Sequence, residues 1–173
     1  INGESFYSAK ANGYLWGPFC SYLPNFNEYV DASSPEVAFD FGAEVEGYEA
    51  PYGKTQLQMW VDSVVISETP KNPEEFKRFC SEHAGKVSYP VPGDFTGTAF
   101  ISSLIAGVIG KDQFELLSKM QEPTIEEVKA IIDPGLEYLR TLNPFLWKQG
   151  STFPADSATV STMYADGELV MNM

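Results

Sequence analysis

Lys86-Val-Ser-Tyr-Pro-Val-Pro-Gly-Asp-Phe-Thr-Gly-Thr-Ala-Phe-Ile-Ser-Ser-Leu-Ile105 reads as a strand, a turn and the opening of a helix. Lys86 to Tyr89 carries the strand signal, Pro90 and Pro92 stop it, and Gly93-Asp94 turns the chain. Thr96-Gly97-Thr98 then falls in the first helical turn, before the apolar run Ala99 to Ile109. Free N–H groups at a helix start, with the positive end of the helix dipole, suit an anion or a polar oxygen. In strand–helix folds ligands collect at the carboxyl ends of strands. This turn is therefore expected to form one wall of a ligand site. The plainer alternative is that Thr96 only caps its own helix.

The flanks extend the pattern. Upstream, Thr55-Gln-Leu-Gln-Met-Trp-Val-Asp62 alternates with period 2, with Leu57, Met59 and Val61 on one face and Gln56, Gln58, Trp60 and Asp62 on the other. A polar strand face that includes Trp is unusual for one turned only to water, so Trp60 and Asp62 become candidates for lining a cleft. Asn72-Pro73-Glu74-Glu75 predicts a helix start, with Asn72 as cap, Pro73 at the first position and Glu75 at the third. That helix is expected to run to about Glu82, with Gly85 beyond it. Downstream, helices are expected over 111–121 and 124–132. Asp133-Pro134-Gly135 is expected to interrupt before a helix resumes to Leu142. Asn143 to Trp147 reads as a turn into a half-helix, Ser157 to Ala165 as a helix, and Glu168 to Met173 as a strand. Nearer the start, Val37 to Phe41 alternates enough to suggest a strand. The alternation of strands and helices predicts an α/β fold.

The composition narrows the function. At 173 residues, 43% hydrophobic and 14% aromatic, the chain is expected to fold around a core. A net charge of −13 repels phosphate backbones and anionic membrane surfaces, which argues against nucleic-acid binding. There is no apolar run of about eighteen residues to span a bilayer. Cys20 and Cys80 permit one disulfide but lack CxxC partners, so zinc and thioredoxin chemistry have no support. His83 is the sole histidine, which argues against a His-based triad or a multi-histidine metal site. The chain opens on Ile1-Asn2-Gly3 and closes on Leu169-Val-Met-Asn-Met173, so both ends are expected to be cut from something longer.

Four segments carry a family resemblance. They are Ile1-Asn-Gly-Glu-Ser-Phe6 with Leu15-Trp-Gly-Pro-Phe19 and Leu23-Pro-Asn25; Tyr48-Glu-Ala-Pro-Tyr-Gly53 leading to Trp60-Val-Asp-Ser63; Pro73-Glu-Glu-Phe76 through Gly85 to Pro90 and on to Phe95-Thr-Gly-Thr-Ala-Phe100; and Leu146-Trp-Lys-Gln-Gly150, Phe153-Pro154 and Tyr164-Ala-Asp-Gly-Glu168. In this order they resemble the solute-binding proteins of ABC importers, most of all the YnjB-type branch of the extracellular solute-binding family.

The resemblance implies a periplasmic-binding-protein-like (type II) fold, with a mixed, mostly parallel sheet flanked by helices. It implies a partial first lobe at 1–54, a hinge-crossing strand at 55–65 and a second lobe at 66–173. It further implies export to the periplasm or to a lipoprotein anchor at the cell surface, capture of a small-molecule ligand between two lobes, and delivery to a membrane permease, with no catalysis and no cofactor. The implied ligand contacts are Asn2 and Gly3 on the first lobe, Trp60 and Asp62 near the hinge, Asp94, Phe95, Thr96, Gly97 and Thr98 at the helix start, and Asn172 at the end of the last strand. Trp60 or Phe95 would stack on a planar group, Asp62 or Asp94 would pair a cation, and Thr96 and Thr98 would bond polar oxygens. Acidity and aromatic content lean towards an organic cation. Two other readings stand beside this one: a carboxylate-based hydrolase of the glycosidase type using two of Asp40, Glu44, Glu46 and Glu49, and a structural or adhesion domain. A fragment ending on a bare apolar strand is also expected to self-associate.

Overall fold

The computed structural model is built mainly of helices. It describes residues 1–173 apart from Gly42, Thr55, Gln121 and Glu122, and of Ser118 the backbone alone. The chain divides into two units, Ile1–Thr55 and Gln56–Met173.

In the first unit α1 (Gly3–Ala11), a 3-10 turn (Cys20–Tyr22), α2 (Pro24–Tyr29) and α3 (Pro35–Ala38) precede a hairpin of β1 (Phe39–Asp40) and β2 (Ala43–Glu44). Both short helices open on proline, whose fixed φ and missing N–H suit the first helical position. Pro35 thereby draws Val37 and Ala38 into α3, and the strand expected over 37–41 shrinks to two residues. These pair antiparallel, Phe39 with Glu44 and Asp40 with Ala43. Lys10 ties α1 to the hairpin: its ammonium donates to the Glu44 carbonyl and pairs with the Glu46 carboxylate at 2.6 Å. The N–H groups of Phe19 and Cys20 both donate to the Gly47 carbonyl, at 2.9 and 3.2 Å. Among the described residues, this unit buries Phe6, Cys20 and Val45 and leaves Tyr14, Trp16, Tyr22 and Tyr29 exposed.

The second unit runs β3 (Trp60–Val61), α4 (Pro73–Glu82), α5 (Phe95–Ile109), α6 (Lys111–Lys119), α7 (Ile125–Leu142), 3-10 turns at Asn143–Phe145 and Trp147–Gly150, α8 (Ser157–Ala165) and β4 (Met171–Asn172). Four of its helices start on complete caps. The Asn72 side chain accepts from the Glu75 N–H at 2.9 Å, and the Glu75 carboxylate accepts in turn from the Lys71 N–H at 2.9 Å. Asp94 accepts from Gly97 at 3.0 Å, and Asp156 accepts from the Thr159 N–H at 2.7 Å. Thr124 and Glu127 form a reciprocal capping box.

These caps make the helix starts acid-sensitive. The Lys71 N–H holds Glu75 below its ordinary range, the Thr124 N–H and then hydroxyl do so for Glu127, and the Thr159 hydroxyl and then N–H do so for Asp156. A carboxyl depressed in the folded state stabilises above its unfolded pKa and loses that contribution as pH falls through its folded value. Amide exchange at Lys71, Thr124 and Thr159, whose N–H groups donate to these three carboxylates, is therefore expected to speed up, relative to helix centres, as pH drops below the usual carboxylate range. Unchanged relative protection at low pH would contradict this.

The core gathers Ile66, Phe76, Phe79, Cys80, Val87, Tyr89, Phe100, Leu142, Leu146 and Met171. Phe100 sits edge-on to Phe76 at 5.5 Å and against Tyr89 at 5.3 Å. Burial pushes the Cys80 thiol up to about 12, so it packs as an apolar group. A smaller cluster of Val160, Met163 and Leu169 packs against Trp147. Cys20 and Cys80 are both free thiols.

Several expectations are corrected. The mixed, mostly parallel sheet of a type II periplasmic-binding-protein-like fold is not present: the described residues form only two small two-stranded antiparallel sheets, β1–β2 and β3–β4. The segment 86–91 is buried from Val87 to Pro90, yet its bonds go one at a time to irregular chain. Val170 N–H donates to the Lys86 carbonyl, Trp147 N–H to that of Val87, and Val91 N–H to that of Pro154. Prolines at 90 and 92 remove the donors that a ladder needs there. The period-2 run over 55–62 pairs only at Trp60 and Val61, opposite Asn172 and Met171; Thr55 lies outside the described residues.

The helix expected over 111–121 closes at Lys119, and Gln121 is likewise outside them. The interruption at 133–135 does not occur, because α7 runs through Pro134. The neighbouring Gly135 lets α7 press onto α5: a Cβ there would lie 2.8 Å from Ile105 Cγ2. Packing thus overrides the local breaker. The C-terminal strand is not bare either. Leu169 and Met171 are buried, and β4 is paired with β3.

Candidate functional site

The turn into α5 is a self-satisfied cap. Gly97 N–H is held by Asp94, Thr98 N–H donates to the Asp94 carbonyl at 2.9 Å, and the Thr98 hydroxyl accepts from Gly93 N–H at 3.1 Å. Asp94 brings negative charge to the end of the dipole that attracts anions, so it already meets the need that an anionic ligand would fill. Gly97 is buried beneath the extended segment, where a Cβ would stand 2.4 Å from the Pro90 carbonyl oxygen and 2.6 Å from that of Val91. Its glycine is thus accounted for by close approach of backbone. Phe95 is exposed and Thr96 half-buried at the same turn.

Trp60 and Asn172 are brought together as a cross-strand pair of β3 and β4, with Trp60 62% exposed. Asn172 Oδ1 accepts from the Ser161 hydroxyl at 3.2 Å and from Met173 N–H at 2.9 Å. Asp62 Oδ1 accepts from Val64 N–H at 2.8 Å and so shapes its own turn. Beside this edge, Trp147 Nε1 donates to Glu168 at 2.6 Å, and the Lys148 ammonium lies 4.0 Å from the centre of the Trp147 ring.

Asn2 belongs to a different place, an open cleft of about 880 Å³ within the first unit, and Gly3 is tied to its lining. Asn2 lines it from the N-cap position of α1, and its side chain makes no capping bond. Gly3 N–H donates to the Asp40 carboxylate. Phe6, Phe19, Phe39 and Tyr48 supply the aromatic wall, and Asp40 and Glu49 supply two carboxylates. The Glu36 and Lys54 side chains pair with each other at the exposed lip.

Glu49 is the uncommon group of this cleft. Its Oε2 is buried and has no hydrogen-bond partner. Burial first, and then the neighbouring Asp40 charge, push its carboxyl above the ordinary range, with the amino group of Ile1 opposing them to a smaller extent. The Glu49 backbone carbonyl is fixed by the Cys20 thiol, which donates to it at 3.1 Å.

Among the ligand contacts implied by resemblance, the structure joins Asn2 and Gly3 to acids that sequence reasoning had assigned to a hydrolase. The signal was present in the interleaving of aromatic and acid in Phe39-Asp40-Phe41 and Tyr48-Glu49-Ala50-Pro51-Tyr52. Glu44 and Glu46 lie outside the lining of this cleft: the Glu46 carboxylate pairs with Lys10, which also bonds the Glu44 main-chain carbonyl. Among the described residues no cluster of three or more His, Cys, Asp or Glu is placed to hold a metal ion, and no helix is long and apolar enough to cross a membrane.

No family model matches the chain. No solved structure matches it. The whole chain is 33% identical, over 173 residues, to Protein YnjB of Escherichia coli (strain K12), and it spans 43% of that relative's length.

Proposed function

We propose that this chain is part of a solute-binding protein that captures a small molecule for an ABC importer, with the cleft of the first unit as the ligand contact it supplies. The observation that carries the reading is the cleft itself: an aromatic wall and, on the lining, Glu49, whose Oε2 is buried and satisfied by no group of the protein. Concave sites with apolar walls and a few convergent polar groups are the usual form of small-molecule sites. The resemblance of the four segments to importer receptors supports the transport role. Export and partnership with a membrane permease belong to the same proposal.

A thermal-shift panel of sugars, amino acids, oxyanions and amines tests it. A solute that raises the melting temperature and is recovered unchanged is the expected result. No stabilisation by any solute would overturn the reading.

One observation favours a second reading. Asp40 and Glu49 share the cleft, and the Glu49 carboxyl is raised, a combination that also suits carboxylate-based hydrolysis. Conversion of a glycoside to product, lost in Glu49→Gln, would establish that alternative.

A further inference from the structure

We infer that the cleft of residues 1–54 takes a small organic cation bearing N–H donors, a protonated amine or amidine, with Glu49 as its counter-ion and the aromatic wall against its apolar part. This rests on the solute-capture reading and names the ligand class of that site.

Three features of the cleft converge on this chemistry. Glu49 Oε2 is buried without a partner, and a carboxylate oxygen accepts hydrogen bonds and donates none once ionised. An entering donor satisfies it, and a charged donor adds direct ion pairing to the hydrogen bond. Asp40 stands close enough to add repulsion, and Gly3 N–H already occupies its Oδ2. One incoming cation relieves both the unmet acceptor and the like-charge contact. The walls match as well, because Phe6, Phe19, Phe39 and Tyr48 offer faces and edges to a flat or aliphatic body, and aromatic faces attract cations.

The other charges on the cleft do not favour an anion. Lys54 is engaged by Glu36 at the lip, and the Ile1 amino group offsets the Glu49 environment less than burial and Asp40 raise it. An anionic ligand would face two carboxylates. A quaternary ammonium would leave the Glu49 oxygen without a donor.

A matched set of probes on the 173-residue chain decides the matter: benzylamine, benzyl alcohol, benzyltrimethylammonium and phenylacetate, followed by calorimetry and by amide chemical shifts. Benzylamine is expected to bind at least tenfold more tightly than the other three, with its shifts centred on residues 39–49. Glu49→Gln is expected to abolish the preference for benzylamine over benzyl alcohol, whereas Glu126→Gln, an exposed acid on α7, keeps it. The probe comparison needs no variant, so it stands even if Glu49→Gln fails to fold. Equal or tighter binding of any of the other three probes overturns the inference. So does a preference that survives Glu49→Gln, or the absence of benzylamine binding. A sugar or oxyanion bound in the cleft in place of benzylamine overturns the cation assignment and leaves solute capture standing. Benzylamine binding together with hydrolysis of a glycoside keeps the assignment and overturns solute capture.

Discussion

Gly97→Ala is expected to cost about 3 kcal/mol of stability, at the upper end of what overpacking usually costs. Two effects of opposite sign compete at this site. Helix propensity favours Ala over Gly by about 1 kcal/mol inside a helix, and Gly97 is the third residue of α5, so propensity alone predicts a more stable protein. Sterics predict the reverse. The new methyl would lie 2.4 Å from the Pro90 carbonyl oxygen and 2.6 Å from that of Val91. Both are backbone atoms, at the end of a stretch buried from Val87 to Pro90, and no rotamer change can move them aside. The start of α5 must therefore lift from the extended chain, loosening Phe100 from Tyr89. Denaturant titration checks this: a midpoint equal to or above that of the parent would show that the segment yields.

Phe76→Ala is expected to cost about 3–5 kcal/mol, the range for deleting a buried aromatic ring. Phe76 is 2% exposed, stacks on Phe79 at 6.5 Å and meets the edge of Phe100 at 5.5 Å. Its neighbours come from α4 and α5 and cannot collapse far into the gap. By contrast, Ile125→Ala at the exposed start of α7 is expected to stay within about 0.5 kcal/mol. Unfolding of both variants by denaturant gives the comparison, and similar losses would mean that the core is not organised around Phe76.

The parts of this fold that could be read in the sequence were those decided within a few residues. Asn72-Pro73-Glu74-Glu75 contains its own cap, first-turn proline and reciprocal carboxylate, and the helix begins there. The helix after Asp94 and the one over Ser157 to Ala165 follow from equally local chemistry. What escaped was pairing at a distance. Alternation over 55–62 states that a strand is possible but not how much of it finds a partner; the partner, Met171–Asn172, contributes two residues, and the strand is two residues long. The Lys86–Tyr89 run carries strand composition, but prolines follow it and its available partners are turns, so it stays extended without a ladder. Pro134-Gly135 reads as a break because the sequence does not show that α5 lies alongside, where a glycine is needed against Ile105.

The candidate site was legible by composition and not by position. Acids and aromatics alternate visibly around Asp40 and Glu49, but only the fold of the first unit separates these two from Glu44 and Glu46. The internal use of the helix start was hidden for a simpler reason. An Asp just ahead of an apolar helical run suits a ligand or a cap equally in sequence, and in the structure the Asp94 Oδ1 accepts from Gly97 N–H.

The pairing of Trp60 with Asn172 has a kinetic side. The two strands lie near opposite ends of the second unit's sequence, with α4 to α8 between them. Closing so long a loop is entropically expensive, and a two-residue ladder returns little until the intervening helices have already packed. β3–β4 is therefore expected to zip after the rate-limiting step, with α5 and α7, nearer in sequence, meeting before it. Weakening this ladder is then expected to leave the rate of folding almost unchanged and to accelerate unfolding, which stopped-flow measurements on a Trp60 variant check.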